Sequence, residues 1–490
     1  MKKSAAAERE EQNNFMSGGE IRIGLEVHCE LLTRSKLLCS CKNAFGQQPG
    51  ANCCPVCAGY PGALPVLNKR AVELAVIAGL ALGCKPARYC AWERKNYFYP
   101  DLPKGWQTTQ RTLPVAGEGT LEFYSGGQRK QARILRIQLE EDAGKLIHRG
   151  GVTEVDFNRC GVPLIEIVTA PDFCSPEDAA AALEEIRTVL KYAGVSDVKM
   201  QEGSLRCDVN LSVRKSDGTW GERTEAKNLG SVKAVARCCA YEAERQLKLA
   251  ARGEETGRLT LRWDDEKGTA YYMRDKENAS DYRYIAEPDI PPVTISEDTV
   301  ERLKRSMPPS KRDVEEKLVS EYGLPRYDAE VLSADKALAD LFEGAVACGM
   351  PPKTASNYVM NDVMQLAKKR GSEEYDIKIT ASALCDIWKL SESGEISASA
   401  ARRILLPAMW GNTRSAADTA REMGIGKLSE VETERVAREV VALYGEAVAL
   451  YKDGDGKVFG YLMGQAMRAS GGRCDPALTE KILKKLLAND

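Results

Sequence analysis

Glu26, His28 and Glu30 stand two residues apart in the stretch GLEVHCEL, the spacing that sets side chains on one face of a β-strand. At steps of about 6.6 Å they make a carboxylate–imidazole–carboxylate row. Such a row suits a hard divalent cation or a proton transfer; a solvated strand face is the plain alternative. Just beyond it, Cys39-Ser40-Cys41 and Cys54-Pro55-Val56-Cys57 form two cysteine pairs across a Gly/Asn/Pro-rich loop. Four thiolates on two tight turns suit a tetrahedral structural Zn2+, with Cys53 on hand as a substitute for Cys54; reduced, unligated cysteines are the alternative.

Two further stretches repeat this polar-face logic. Leu135, Ile137 and Leu139 alternate up to Glu140-Glu141-Asp142, and a glycine turn and Lys145 follow. Acids at a strand end before a lysine suit a metal–phosphate site or simply an exposed acidic turn, and alternation assigns Glu140 to the polar face. Leu205, Cys207, Val209, Leu211 and Val213 share one strand face, with Arg206, Asp208, Asn210, Ser212 and Arg214 on the other. Glu225 and Lys227 lie on a neighbouring strand. Arg274 and Arg283 are cations suited to clamping a phosphoryl group. Arg94 and Lys95 precede Tyr97, Phe98 and Tyr99, in a stretch read as an ordered loop, where phosphate contact, base stacking and core filling are all open.

These groups need a sheet to hold them and helices to cover its back. The stretch 68–84 has helical spacing, Ser175-Pro176 opens a second helix and Ser231 a third. The patterns 260–263 and 270–274 predict a hairpin, and the Pro-rich run 287–292 a domain edge. Beyond about residue 295 only alanine-rich helical periods remain, broken near Trp410-Gly411. The last segment carries Lys457, Arg468 and Arg473 beside a glycine-hinged helix, placed to meet an RNA backbone.

Composition narrows the class. The chain has 490 residues, 43% hydrophobic and 29% charged, enough for two or three domains of an ordinary globular protein. A net charge of −2 leaves nucleic-acid contact to local basic patches. Sixteen cysteines without a secretory leader argue for a reducing cytoplasm, and no stretch reads as a membrane span. There is no P-loop and no protein-kinase signature set. With two histidines, His28 and His148, nucleophilic catalysis has few bases, and no amidase-like Gly/Ser-rich stretch appears. An enzyme that draws nitrogen from glutamine would need a separate protein chain to release the ammonia.

The motifs GLEVHCEL, CSC, CPVC, YPGALPVLNKRAVELA, RKNYFYPDLPKGWQTTQ, LEEDAGK, VDFNRCGVPLIEIVTAPD, VSDVKMQEGSLRCDVNLSVR, EAKNLGS, DYRYIAEPDIPP and GYLMGQAMRASGG occur in this order. In them the chain resembles the B-subunit family of aspartyl/glutamyl-tRNA amidotransferases over nearly everything past residue 20. The resemblance implies an α+β fold: a mobile tail (1–20), then an antiparallel-sheet catalytic domain with a zinc knuckle (21–294), similar to glutamine synthetase and guanidino kinases. An all-α helical domain (295–410) and a helical, tRNA-binding tail domain (411–490) complete it. It implies ATP-dependent phosphorylation of the side-chain carboxylate of mischarged Glu-tRNA(Gln) or Asp-tRNA(Asn), then amidation by ammonia. The amidase/glutaminase, or A, subunit would supply that ammonia, and the small C subunit would complete a heterotrimer. Glu26, His28 and Glu141 would be catalytic, and Glu26, His28, Glu141, Asp208 and Glu225 would hold Mg2+. The family's motif points to Glu141 rather than Glu140, which requires a kink at the acidic run. Arg94, Lys95, Lys145, Arg206, Asn210, Lys227, Arg274 and Arg283 would bind ATP, and Lys457, Arg468 and Arg473 the tRNA. The competing readings are a glutamine-synthetase-like ligase acting on a free acid and a non-catalytic tRNA-binding scaffold.

Overall fold

A strand that alternates as strictly as Ile21–Glu30 (β1) can sit mid-sheet only if one face meets a core and the other a polar cleft. Both conditions hold in the computed structural model, which describes residues 19–275, 279–371 and 377–489. The expected mobile tail therefore lies outside the described residues except for Gly19 and Glu20.

Eight more strands join β1: β2 (Cys84–Pro86), β3 (Ala116–Ser125), β4 (Gln128–Glu141), β5 (Pro163–Thr169), β6 (Leu205–Val213), β7 (Thr224–Leu229), β8 (Leu259–Asp264) and β9 (Thr269–Asp275). Their order is β9-β8-β7-β6-β1-β5-β4-β3-β2. Every neighbouring pair is antiparallel except β7 with β8, a parallel pair that the sequence reading did not anticipate. Helices α1 (Lys69–Ala81), α2 (Pro176–Tyr192) and α3 (Val232–Ala251) cover one face. Asn68, Ser175 and Ser231 cap them by accepting backbone N–H bonds, the role expected from sequence for the two serines. Ile23, Leu25 and Val27 of β1, Ile165 and Ile167 of β5, and Val209 and Leu211 of β6 are buried with Leu183 and Ile186 of α2 and Val235 and Ala243 of α3. Each large aliphatic side chain there contributes about 1.5–3 kcal/mol, so the sheet's register is held from its apolar side.

That register aligns the polar face across strands. His28 lies opposite Arg206 on one side and Glu166 on the other, and Glu26 opposite Asp208. Asn210 faces Glu225, which faces Thr260, which faces Arg274.

The structure alters two readings. Residues 92–110 are not a plain loop: Glu93–Asn96 and Trp106–Thr109 pair as a hairpin, and Ile285–Ala286 adds a third strand. Pro100 and Pro103, which made a strand look unfavourable, are confined to the connection between them. The chain divides into two compact units after Ser310, later than the expected edge at 294. The reason is the helix Glu297–Ser306, whose Leu303 belongs to the sheet's core and whose Arg302 meets Glu73 of α1 at 3.0 Å.

In the second unit the named elements among the described residues are all helices. The two sides of residue 411 are bonded to one another, with Gly411 N donating to Lys378 O and Lys427 N to Glu395 O. A separate core near the C-terminus gathers Ala437, Val440, Leu462 and Leu483, with Phe459 and Met463 packed against it. Among the described residues no helix is long and apolar enough to cross a membrane.

Candidate active site

Two acidic clusters sit side by side on the open face of the sheet. His28, Glu140 and Glu166 each bring a ligand atom within 4.8 Å of the others, and so do Glu26, Asp208 and Glu225. The first spans β1, β4 and β5, and the second β1, β6 and β7. Since Glu26 and His28 are neighbours on the same face of β1, that strand belongs to both. Oxygen-rich groups of this kind suit hard cations such as Mg2+, with the imidazole as an added ligand.

Burial, then the nearby charges of Arg206 and Lys227, hold the His28 imidazole down at about 3. It is thus neutral at physiological pH, the form that can ligate a metal. Burial and then Glu140 and Glu26 push the Glu166 carboxyl up to about 8, and burial raises Glu140 as well. These shifts follow from burial and from acids crowded together. Gln138 donates to Glu166 at 2.8 Å and Thr109 to Glu140 at 2.7 Å, so both carboxylates are held in place. Asn210 does the same for Glu26 at 2.9 Å.

Cations ring the acids. Lys227 meets Asp208 at 2.5 Å and Glu225 at 3.4 Å. Although burial opposes its charge, those two carboxylates raise its pKa. Arg206 donates to Asp142 at 2.6 Å, and Arg159 lies 3.6 Å from the same carboxylate. Against burial, these guanidinium groups keep Asp142 below the usual carboxylate range. Glu30 is pushed up to about 8 by burial and by Asp142. Lys95 stacks 4.7 Å from the Tyr282 ring centre and exerts its charge on Glu140.

Not every residue singled out from sequence arrives here. Glu141 does not join the clusters: β4 pairs with β5 without a bulge at the acidic run, so Glu140 takes the cleft face as alternation required. Glu141 instead bonds Lys104 and the Thr108 amide and lines a separate cavity of about 370 Å³ with Arg94 and Trp106. Arg94 is committed to Glu287 at 2.7 Å and Asp289 at 2.9 Å. Lys145 is exposed on the hairpin formed by Lys145–Arg149 and Val152–Asp156. Arg283 is exposed with a φ of 43°, its guanidinium 5.9 Å from the Phe98 ring centre. Arg274 sits on the edge strand in the row of Asn210 and Glu225. In the helical unit Lys457 and Arg468 are exposed, whereas Arg473 donates to the Gly424 carbonyl at 2.5 Å. Glu166 was not singled out. Its signal was there, as the only charged residue in the apolar run PLIEIVT.

Beside the sheet, the sulfurs of Cys39, Cys41, Cys54 and Cys57 also lie within 4.8 Å of one another. Cys57 accepts from the Cys54 amide at 3.1 Å, while Cys53 remains outside the group of four. Hydrogen bonding from Cys39, and then the Cys54 amide and the Lys36 charge, bring the Cys57 thiol down to about 4. Four cysteine sulfurs gathered in this way are a donor set that suits a tetrahedral Zn2+.

The model of the GatB/GatE catalytic domain matches residues 21–301, and that of the GatB domain residues 340–487. The chain belongs to the GatB family. Among its relatives is the B subunit of the aspartyl/glutamyl-tRNA(Asn/Gln) amidotransferase of Caldicellulosiruptor saccharolyticus, 44% identical over 96% of this chain and 99% of the relative. The corresponding protein of Thermodesulfovibrio yellowstonii is 43% identical over the same shares. As a GatB protein the chain is the B subunit of a tRNA-dependent amidotransferase, a ligase of protein biosynthesis, and it works with partner subunits. Both acidic clusters and the four cysteines lie within the residues matched by the catalytic-domain model.

Proposed function

We propose that the open face of the sheet phosphorylates the side-chain carboxylate of Glu-tRNA(Gln), Asp-tRNA(Asn) or both, using ATP, and then exchanges phosphate for ammonia. The observation that carries this reading is the pair of adjacent carboxylate clusters sharing β1 and ringed by Arg206 and Lys227. A carboxylate is a poor acceptor for ammonia until its oxygen becomes a leaving group. In the first step that oxygen attacks the γ-phosphorus and ADP departs. In the second, ammonia attacks the acyl carbon, and phosphate leaves with the C–O electron pair.

Mg2+ bound by Glu26, His28, Glu140, Glu166, Asp208 and Glu225 would neutralise charge on the phosphates and the acyl phosphate. The chain's own residues do the rest. Neutral His28 presents a lone pair, while Gln138, Thr109 and Asn210 orient the carboxylates that accept from them. Arg206 and Lys227, which ring the acids, and Arg274 in the row of Glu225 would offset the phosphate charge that develops in the transition state. Ammonia would come from the glutaminase, or A, subunit, assisted by the small C subunit. Cys39, Cys41, Cys54 and Cys57 would hold one structural Zn2+, and Lys457 and Arg468 would meet the tRNA backbone. The acid-lined, mostly antiparallel sheet supports the likeness to glutamine synthetase and guanidino kinases, and a reducing cytoplasm suits sixteen free cysteines.

The test is phosphate release from ATP by the purified complex, supplied in turn with Glu-tRNA(Gln), Asp-tRNA(Asn) and free glutamate. Release that requires a mischarged tRNA supports the proposal. Equal release with free glutamate favours a free-acid ligase, and none with any acid leaves a binding scaffold.

A further inference from the structure

Lys36, in the turn after β1, has no exposed surface at all. An ammonium group loses its hydration when buried and ordinarily requires an anion beside it. Its Nζ donates to the Asn52 carbonyl at 2.6 Å, to the Phe157 carbonyl at 3.3 Å and to Cys57 Sγ at 3.5 Å. No described carboxylate lies within the 4.0 Å reach of an ion pair. Among the described residues, the side-chain acceptor beside this lysine is the Cys57 sulfur, one of the four gathered in the cluster.

The three acceptors belong to two different parts of the chain. Asn52 and Cys57 are on the cysteine loop, and Phe157 begins a turn that runs back to β5. The Asn52 amide also donates to Asn158 Oδ1 at 2.9 Å, so loop and turn meet at a double contact. From that turn, Gly161 N donates to Asp142 O at 2.9 Å, and Asp142 N donates to Val162 O at 2.8 Å. Arg159 binds the carbonyls of Ala143 and Gly144 at 2.9 and 2.7 Å. Gly161 has a φ of 80°, and a Cβ there would lie 3.5 Å from Cys57 Cβ and 3.7 Å from Lys36 Cδ. There is little slack between the knuckle and the strand end that carries Glu140 and Asp142.

We propose that Lys36 is a positioning residue that balances the charge of a four-thiolate zinc centre and ties that centre to the 157–161 turn beneath the cleft acids. The proposal rests on the zinc reading above. One Zn2+ against four thiolates leaves two negative charges in a partly buried place, and a charge-assisted N–H···S bond offsets one of them. Loss of a group that supports a metal ligand in this way weakens metal binding about 10- to 100-fold.

The experiment uses the full chain loaded with zinc. Zinc affinity is measured by competition with a chromophoric chelator, and the alkylation rate of the knuckle cysteines by iodoacetamide and peptide mass spectrometry. Lys36→Met is expected to lower affinity about tenfold or more and to speed alkylation, and Lys36→Arg to lose less of both. A folded Lys36→Met protein with wild-type affinity and alkylation rate overturns the proposal while leaving zinc in place. Should that variant not fold, the wild type decides: acetylation of Lys36 is expected to rise when chelator removes zinc, while exposed Lys248 stays constant. Equal protection of Lys36 with and without zinc overturns the proposal. A wild-type chain that takes up no zinc overturns the zinc reading and the proposal together.

Discussion

Replacing Glu166 with Gln should make the metal-free protein more stable and the working protein worse. In the absence of a cation, burial, Glu140 and Glu26 push the Glu166 carboxyl from an ordinary 4.5 up to about 8. The unfolded chain ionises this group near the lower value, while the folded protein keeps its proton to the higher one. Between those limits each pH unit costs the folded state about 1.4 kcal/mol, or about 3 kcal/mol at pH 7. Coulomb's law gives a similar figure for Glu166 against Glu140: charges within 4.8 Å of each other repel by at least about 3.5 kcal/mol at an effective dielectric of 20. Glutamine keeps an oxygen for the Gln138 amide and removes the charge. Thermal melts in EDTA should therefore show a gain on the order of 5 °C at pH 7. That gain should vanish near pH 4.5 and level off above pH 8. With Mg2+ present the sign reverses, because the wild type gains a ligand that the variant has lost. A Glu166→Gln protein that melts below the wild type in EDTA at pH 7, yet is stabilised by Mg2+ just as much, would refute this reasoning.

Lys227→Met should act in the opposite sense. Losing the cation between Asp208 and Glu225 leaves both carboxylates without their partner and should cost the metal-free protein about 1–3 kcal/mol, with Mg2+ restoring part of it, as read by chemical denaturation with and without the metal. Cys54→Ser should abolish stoichiometric zinc in elemental analysis and loosen the loop, whereas Cys53→Ser should leave the metal content unchanged. Removing residues 411–490 should weaken tRNA binding and spare ATP binding. The deficit should shrink as salt rises, since screened phosphate contacts contribute less in both proteins; equal tRNA affinity at low salt would count against a tail contact.

Much of the sheet was legible because period-two alternation survives wherever one face is covered and the other open. In β1 and β6 this reading placed Glu26, His28, Arg206, Asp208 and Asn210 correctly on one surface. It also placed Glu140 on the cleft face, where family motif alone had favoured Glu141. Glu166 was hidden by the same physics in reverse. Its strand is almost wholly apolar, and its place beside His28 depends on pairing between residues more than a hundred positions apart. Long-range pairing also explains Arg94, whose partner Glu287 is 193 residues away in the chain. The hairpin within residues 92–110 was obscured because Pro100 and Pro103 weigh against a strand over the whole stretch, though they occupy only its connection. Lys36 could not have been anticipated, since nothing local distinguishes a buried lysine from a solvated one.

If β1 is the centre of the chemistry, His28→Ala reveals it most directly. Wild-type and variant complexes, each with its partner subunits, would be compared for ATP-dependent acyl-phosphate formation on mischarged tRNA, for glutamine hydrolysis and for thermal midpoint. Loss of acyl-phosphate formation, with glutamine hydrolysis retained and the midpoint little changed, is the predicted result. A folded His28→Ala complex that phosphorylates its tRNA at near the wild-type rate would contradict the account.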